Sequence, residues 1–125
     1  MARNISCLGV GAVNASFKPN SSLTQDDVGK SVTMTANGEV GLGSDQDVLV
    51  GRLVYLDDAT APSVCTVQIG GVMELTYGGT PAINDSLVVD GAGSVVTAPV
   101  MSVGVANKGR GVVLDVGASK LLVNV

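Results

Sequence analysis

From Ser31 to the C-terminus the apolar residues fall in short valine-rich runs, broken by Gly, Asn, Asp, Ser or Pro about every eight to twelve positions. That rhythm predicts an all-β chain. The runs predict strands at Ser31 to Thr35, Glu39 to Leu42, Val48 to Leu56, Val64 to Ile69, Val72 to Tyr77, Ser86 to Asp90, Ser94 to Ala98, Met101 to Ala106, Gly111 to Asp115 and Lys120 to Val125. Asn37-Gly38 predicts a two-residue hairpin with both central residues at positive φ. No segment after Gly29 keeps a helical period. Ahead of the strands, Leu23 to Val28 reads as one helical turn that Thr24 caps, with Asp26 and Asp27 near its positive end and Gly29 stopping it. Residues 1 to 26 are small, polar and glycine-rich, which predicts an extended N-terminal arm and linker before a domain at residues 27 to 125.

Laid over itself with an offset of 55 residues, the chain shows a weak repeat: the stretch from Ser31 to Val40 falls on the stretch from Ser86 to Val95. After a two-residue deletion, Leu49-Val50-Gly51 falls on Ser102-Val103-Gly104. Each copy then runs through a polar loop into a return strand, Val64 to Ile69 in one and Lys120 to Val125 in the other. Two related halves closing on each other predict a small pseudo-symmetric β-barrel or sandwich, a shape that leaves no free sheet edge.

Composition supports the strand reading, since Val is the commonest residue and branching at Cβ suits a pleated strand. At 125 residues the chain fits one domain that buries roughly two thirds of its unfolded surface. Apolar residues make up 46%, yet no run approaches the roughly 18 to 20 residues of a membrane-spanning helix. So much apolar surface on so short a chain is expected to lie against other subunits, which predicts a homo-oligomer or an assembly-bound protein. The net charge of −4 and the scatter of seven basic residues exclude a nucleic-acid groove, which needs a basic stripe. Phe17, Tyr55 and Tyr77, the only aromatic residues, give no stacking platform for bases. Cys7 and Cys65 read as small buried hydrophobes, and Gly9 and Gly11 interrupt the apolar stretch that a signal peptide would need.

Candidate chemistry is sparse. The chain has no histidine, which excludes His-based triads, zincin motifs and imidazole acid–base catalysis. Gly29-Lys30-Ser31 imitates the end of a P-loop, but Thr24 stands where a glycine is required, and a strand follows where a helix should. Gly9-Val10-Gly11 lacks the third glycine and the crossover helix of a dinucleotide fingerprint. Gly41 to Asp45 is a single G-x-G-x-D fragment of a calcium repeat that works only in tandem. The pairs Asp26/Asp27, Asp45/Asp47 and Asp57/Asp58 read as solvated turn residues with local hydrogen bonds. Neither catalysis nor a cofactor or metal is expected.

The order of elements from residue 27 onward resembles the small β-barrel capsid cement, or head decoration, proteins of tailed bacteriophages. The resemblance rests on the Gly29 turn, the early hairpin, Val50-Gly51 entering a strand, and the stretch from Val67 to Leu75. It continues through Ile83 to Val89, the glycine turn from Gly91 to Gly93, the stretch from Val103 to Ala106, and the terminal strand. It implies a structural protein made in the host cytoplasm and carried on the outer surface of the virion, clamping neighbouring major capsid protein subunits. It also implies three copies around a local threefold axis, hence a homotrimer. The arm residues Ile5, Leu8, Val10, Val13, Phe17 and Lys18 are the expected contacts with the capsid or a sister subunit. A receptor- or glycan-binding β module of a phage tail fibre or adhesin is the competing class, and poverty in aromatic rings counts against it.

Overall fold

The computed structural model describes residues 10–57, 62–99 and 109–125. The chain is all-β. In order, the strands are β1 (Val13–Pro19), β2 (Ser31–Ala36), β3 (Glu39–Gly41), β4 (Gly51–Leu56), β5 (Cys65–Gly70), β6 (Val72–Thr76), β7 (Leu87–Val89), β8 (Val95–Thr97), β9 (Val112–Val116) and β10 (Lys120–Asn124). A single 3₁₀ turn, Gln25–Asp27, lies between β1 and β2.

The first five strands close a barrel in the order β1-β3-β2-β4-β5, with β1 parallel to β3 and antiparallel to β5. The second five repeat this order with isolated bridges in place of two ladders. β6, β10 and β9 form one sheet and β7 and β8 another. Tyr77 meets Val95 of β8 in parallel, and Leu87 of β7 meets Arg110 just ahead of β9. We refer to the halves as the closed barrel and the bridged barrel.

Hydrogen bonds show how closely the halves correspond. Gly29 N–H donates to the Leu53 carbonyl (2.6 Å) and Leu53 N–H to that of Lys30 (2.9 Å). In the bridged barrel Asn84 N–H donates to the Val113 carbonyl (2.9 Å) and Val113 N–H to that of Asp85 (3.1 Å). Val50 N–H reaches the Val32 carbonyl as Arg110 N–H reaches that of Leu87, both at 2.9 Å. The parallel contacts match too, Asn20 N–H to Val40 and Gly78 N–H to Val95. Gly29 (φ 97°) and Asn84 (φ 71°) are equivalent turn residues in the left-handed region, where a side chain is costly unless it is a short polar one.

The cores follow the same equivalence. Val32, Val40, Leu53, Cys65 and Val67 fill the closed barrel with Leu23 and Leu56; Leu87, Val95, Val113, Leu121 and Val123 take the matching places in the bridged one. Each fully buried Val or Leu contributes about 1.5–3 kcal/mol of transfer free energy. The registers agree, since Leu53 faces Val67 across β4 and β5 as Val113 faces Val123 across β9 and β10.

The repeat seen in the sequence is therefore real, but each half closes on itself rather than on the other. A separate core inside each half is the reason. The counterpart of Val50-Gly51 is Arg110-Gly111, fixed by hydrogen bonds, rather than Val103-Gly104; residues 100–108, and with them the strand expected at Met101 to Ala106, lie outside the described residues.

The arm also needs correction. Val13–Pro19 is a barrel strand, and Leu23 is 4% exposed in the first core, so the described part of residues 1 to 26 belongs to the domain. Alternation of half-buried Ala15 and Phe17 with exposed Asn14, Ser16 and Lys18 is the strand signal, muted by small side chains, by Pro19 and by the register shift that turns Val13 outward. At the Asn37-Gly38 turn only Gly38 has positive φ (68°), and the register of β2 against β3 shifts between Met34 and Ala36. A bulge absorbs the twist that a turn with two left-handed residues would otherwise supply.

The strand expected from Val48 starts only at Gly51, because the chain before it crosses to the other half. There Val48 bridges Val88, Gln46 N–H donates to the Val89 carbonyl (2.8 Å) and Val89 N–H donates to that of Asp47 (3.0 Å). Leu49, fully buried, enters the core of the bridged barrel.

Candidate interaction surface

The polar groups that sequence reasoning weighed for chemistry hold the fold together. Asp27 is buried, not solvated as expected. Its carboxylate accepts from the Thr24 N–H (2.9 Å) and from Lys30 Nζ (2.9 Å), so Asp27 at the third turn position completes a capping box with Thr24, the residue expected to cap the turn. Burial alone raises the Asp27 pKa, but the hydrogen bonds from Lys30 and Thr24 and the lysine charge together hold it below its ordinary value. Lys30 is thereby engaged, which removes the phosphate-binding role its motif imitates. Asp47 accepts from the Ser44 N–H, Asp85 from the Ala82 N–H and Asp90 from the Ala92 and Ser94 N–H groups; these are loop-fixing bonds of the expected local kind. Among the described residues no three His, Cys, Asp or Glu side chains are grouped to hold a metal ion.

Arg110 carries out a task the sequence did not announce. Its guanidinium donates to the carbonyls of Leu49 (3.1 Å), Val50 (2.8 Å) and Ile69 (2.9 Å), tying the bridged barrel to the segment that enters β4 and to β5 of the closed one. Three carbonyl acceptors around one guanidinium fix a rigid joint, because the donors form a planar fork. Ser31 adds to the joint by donating its N–H to Gly93 and its hydroxyl to Ser94.

Cys65 is a free, fully buried thiol on β5 whose S–H points to the Phe17 carbonyl (3.4 Å). Burial raises its pKa, which suppresses the reactive thiolate. It fills a core position as expected. Cys7 lies outside the described residues.

What the surface offers is apolar. The contact residues expected in the arm separate into three groups. Ile5 and Leu8 lie outside the described residues. Phe17 turns inward and packs against the core of the closed barrel, so it is removed from the contact set. Val10 (60% exposed), Val13 (53%) and Lys18 face outward. Val10 is held in place, since its carbonyl accepts from the Val72 N–H (2.9 Å) and Gly11 lies close against Gly71, where an added Cβ would come 2.6 Å from the Gly11 carbonyl.

A second outward group is Val112 and Leu114 on β9. Because Val113 points into the core, strand alternation turns its two neighbours out. Val112 stands opposite Asn124, and Asn124 opposite Val72, a buried residue of β6 whose N–H bonds the Val10 carbonyl. The unbroken apolar run Val112-Val113-Leu114 hid these residues in the sequence, since it does not reveal which face is wet. Tyr55 is exposed beside the register shift in β4, and Met34 is exposed beyond the point where β2 stops pairing with β4.

A scan against models of known protein families finds none that matches this chain, and a search of curated proteins finds no match.

Proposed function

We propose that the chain is a capsid cement, or decoration, protein that binds the outside of an assembled phage head and clamps neighbouring major capsid protein subunits. The observation that carries this reading is the group of outward apolar residues, Val10, Val13, Val112 and Leu114, carried on strands and turns fixed by backbone bonding. Val10 and Val13 project from one end of the closed barrel, Val112 and Leu114 from the adjoining sheet, and the backbone beneath them is fixed by sheet bonding and the Arg110 joint. A clamp needs pre-organised, desolvatable area rather than tuned ionisable groups, since rigidity lowers the entropy lost on docking. The element order described above supports the same reading.

The test is co-sedimentation of the full-length chain with empty heads assembled from a phage major capsid protein. Saturable binding is expected, and Val13→Asp, which places a charge on an exposed strand position, should weaken it at least about tenfold while the circular dichroism stays unchanged. Heads that take up no protein would defeat the reading. Truncation is a poor test, because removing the residues before Ser22 also removes β1.

A further inference from the structure

The turn between β2 and β3 carries a reactive pair that the fold leaves free. Asn37 and Gly38 are both exposed, and a Cβ added at Gly38 would meet no atom within 4 Å. Among the described residues no hydrogen bond reaches the Asn37 carboxamide, the Asn37 carbonyl or the Gly38 N–H, so the peptide unit between the two residues is tied at neither end. The other described asparagines are guarded. Asn20 accepts from the Ser22 N–H (2.9 Å) and hydroxyl (2.7 Å) and donates to Glu39. Asn84 precedes an Asp85 N–H bonded to the Ala82 carbonyl (3.1 Å), and Asn124 precedes a Val125 N–H bonded to that of Gly71 (3.0 Å). Asn14 lies in the β1–β5 ladder and is followed by Ala15, whose Cβ crowds the backbone nitrogen. In the bridged barrel the position equivalent to Asn37 is Ala92, which has no carboxamide.

We infer that the Asn37-Gly38 turn is a self-modification site, at which the Gly38 backbone nitrogen attacks Asn37 Cγ. The Gly38 N–H gives its proton to hydroxide, the N–Cγ bond forms and the Cγ–Nδ2 bond breaks. Ammonia leaves with a proton taken from water, and a cyclic imide remains. Water then adds to one of the two imide carbonyls: opening on the side-chain side gives aspartate, and opening on the main-chain side gives isoaspartate, whose chain runs through the former side-chain carbons. Glycine enables the attack because no Cβ obstructs its nitrogen. Either product sets a carboxylate two residues from Glu39, whose own carboxylate is held by Asn20 and Thr35. The isoaspartyl form also inserts a methylene ahead of Gly38, whose carbonyl accepts from the Lys18 N–H (2.9 Å) where β1 runs beside β3. The reaction therefore loosens the seam that closes the first barrel and spares the second.

Ageing the full chain in mildly alkaline buffer, followed by peptide mapping in a mass spectrometer and labelling with an isoaspartyl-specific methyltransferase, tests this. Residue 37 should exchange ammonia for water at least about tenfold faster than Asn14, Asn20, Asn84 or Asn124, and more slowly in mildly acidic buffer. The isoaspartyl fraction, separated by ion exchange, should unfold at a lower urea concentration than the unaged chain. Gly38→Ala should slow the conversion at least about tenfold by obstructing the nitrogen. Because Gly38 sits at φ 68°, that variant loses stability; should it fail to fold, Asn37→Gln, which keeps Gly38 and requires a larger ring, should abolish the conversion in a folded chain. Conversion at residue 37 no faster than at the guarded asparagines overturns the inference, as does an isoaspartyl fraction as stable as the unaged chain.

Discussion

The closed and bridged barrels follow one path through space with different joinery. In the first, β2 and β4 form a short ladder and β1 runs beside β3 as a true pair; in the second, each of those seams is a single bridge, at Leu87 with Arg110 and at Tyr77 with Val95. Yet the bridged half is the better supported, because it receives Leu49 into its core and the segment around Gln46 and Asp47 on its β7 edge. The difference teaches that the fate of an edge depends on which segment arrives beside it. Val89 and Met34 are equivalent by position, and among the described segments it is Val89 that the other half reaches.

Equivalent positions can be pitted against each other. The largest contrast is expected at the paired glycines. An alanine Cβ at Gly51 would lie 2.0 Å from the Gln68 carbonyl oxygen, a clash with backbone that no rotamer relieves. Gly51→Ala should therefore cost more than about 4 kcal/mol and give little folded protein in urea titrations. At Gly111 the nearest atom is a Val123 methyl at 3.1 Å and the main burden is φ +79°, so Gly111→Ala should cost about 1–3 kcal/mol. Equal losses at the two sites would overturn this contrast.

Leu49→Ala comes next. It empties a fully buried site in the core of the half that Leu49 enters from outside, so a loss of about 3–4 kcal/mol is expected in chemical denaturation. The transition should also broaden, as the halves lose a shared core residue and unfold less cooperatively. An unchanged slope with a small loss would show that the joint does not depend on Leu49.

Arg110→Met keeps the aliphatic stem and removes the donors to three carbonyls, with an expected cost of about 2–3 kcal/mol in thermal or urea unfolding. A loss below about 0.5 kcal/mol would show that water satisfies those carbonyls equally well.

The smallest effect distinguishes the turns ahead of β2 and β7. Asp27→Asn should cost about 1 kcal/mol near neutral pH, since the carboxylate secures Thr24 and pairs with Lys30. Because the folded pKa of Asp27 is lowered, its contribution is fully present above the ordinary value of 3.8 and is lost as pH falls through the folded value. Wild type and variant should thus converge in melting temperature when acidified, and a gap that persists at pH 2 would assign the cost to packing.

Strand by strand, the sequence was legible wherever valines were bounded by turn residues: β2, β3 and β5 to β10 lie within a residue or two of the runs that predict them. The turn at Gln25–Asp27 was legible from Thr24, Asp27 and Gly29. β1 was not, because Ala15 and Ser16 give little contrast between its faces. The candidate surface was legible only in part. Val10 and Val13 stand among exposed small residues, whereas Phe17, the one aromatic among the expected contacts, was drawn inward, and Val112 and Leu114 were masked by Val113 between them.

By itself the sequence determined the all-β class, the doubled order of hairpin and return strand, and the absence of imidazole chemistry, because these follow from side-chain type and from a period of two. Only the tertiary structure decided that each half closes around its own core, that Val48 and Leu49 leave β2 for the other half, and that Arg110 ties the halves together. Those outcomes depend on which backbone groups find partners across long sequence separations. Local residue preference does not encode that competition, since every strand here is apolar enough to pair with several others.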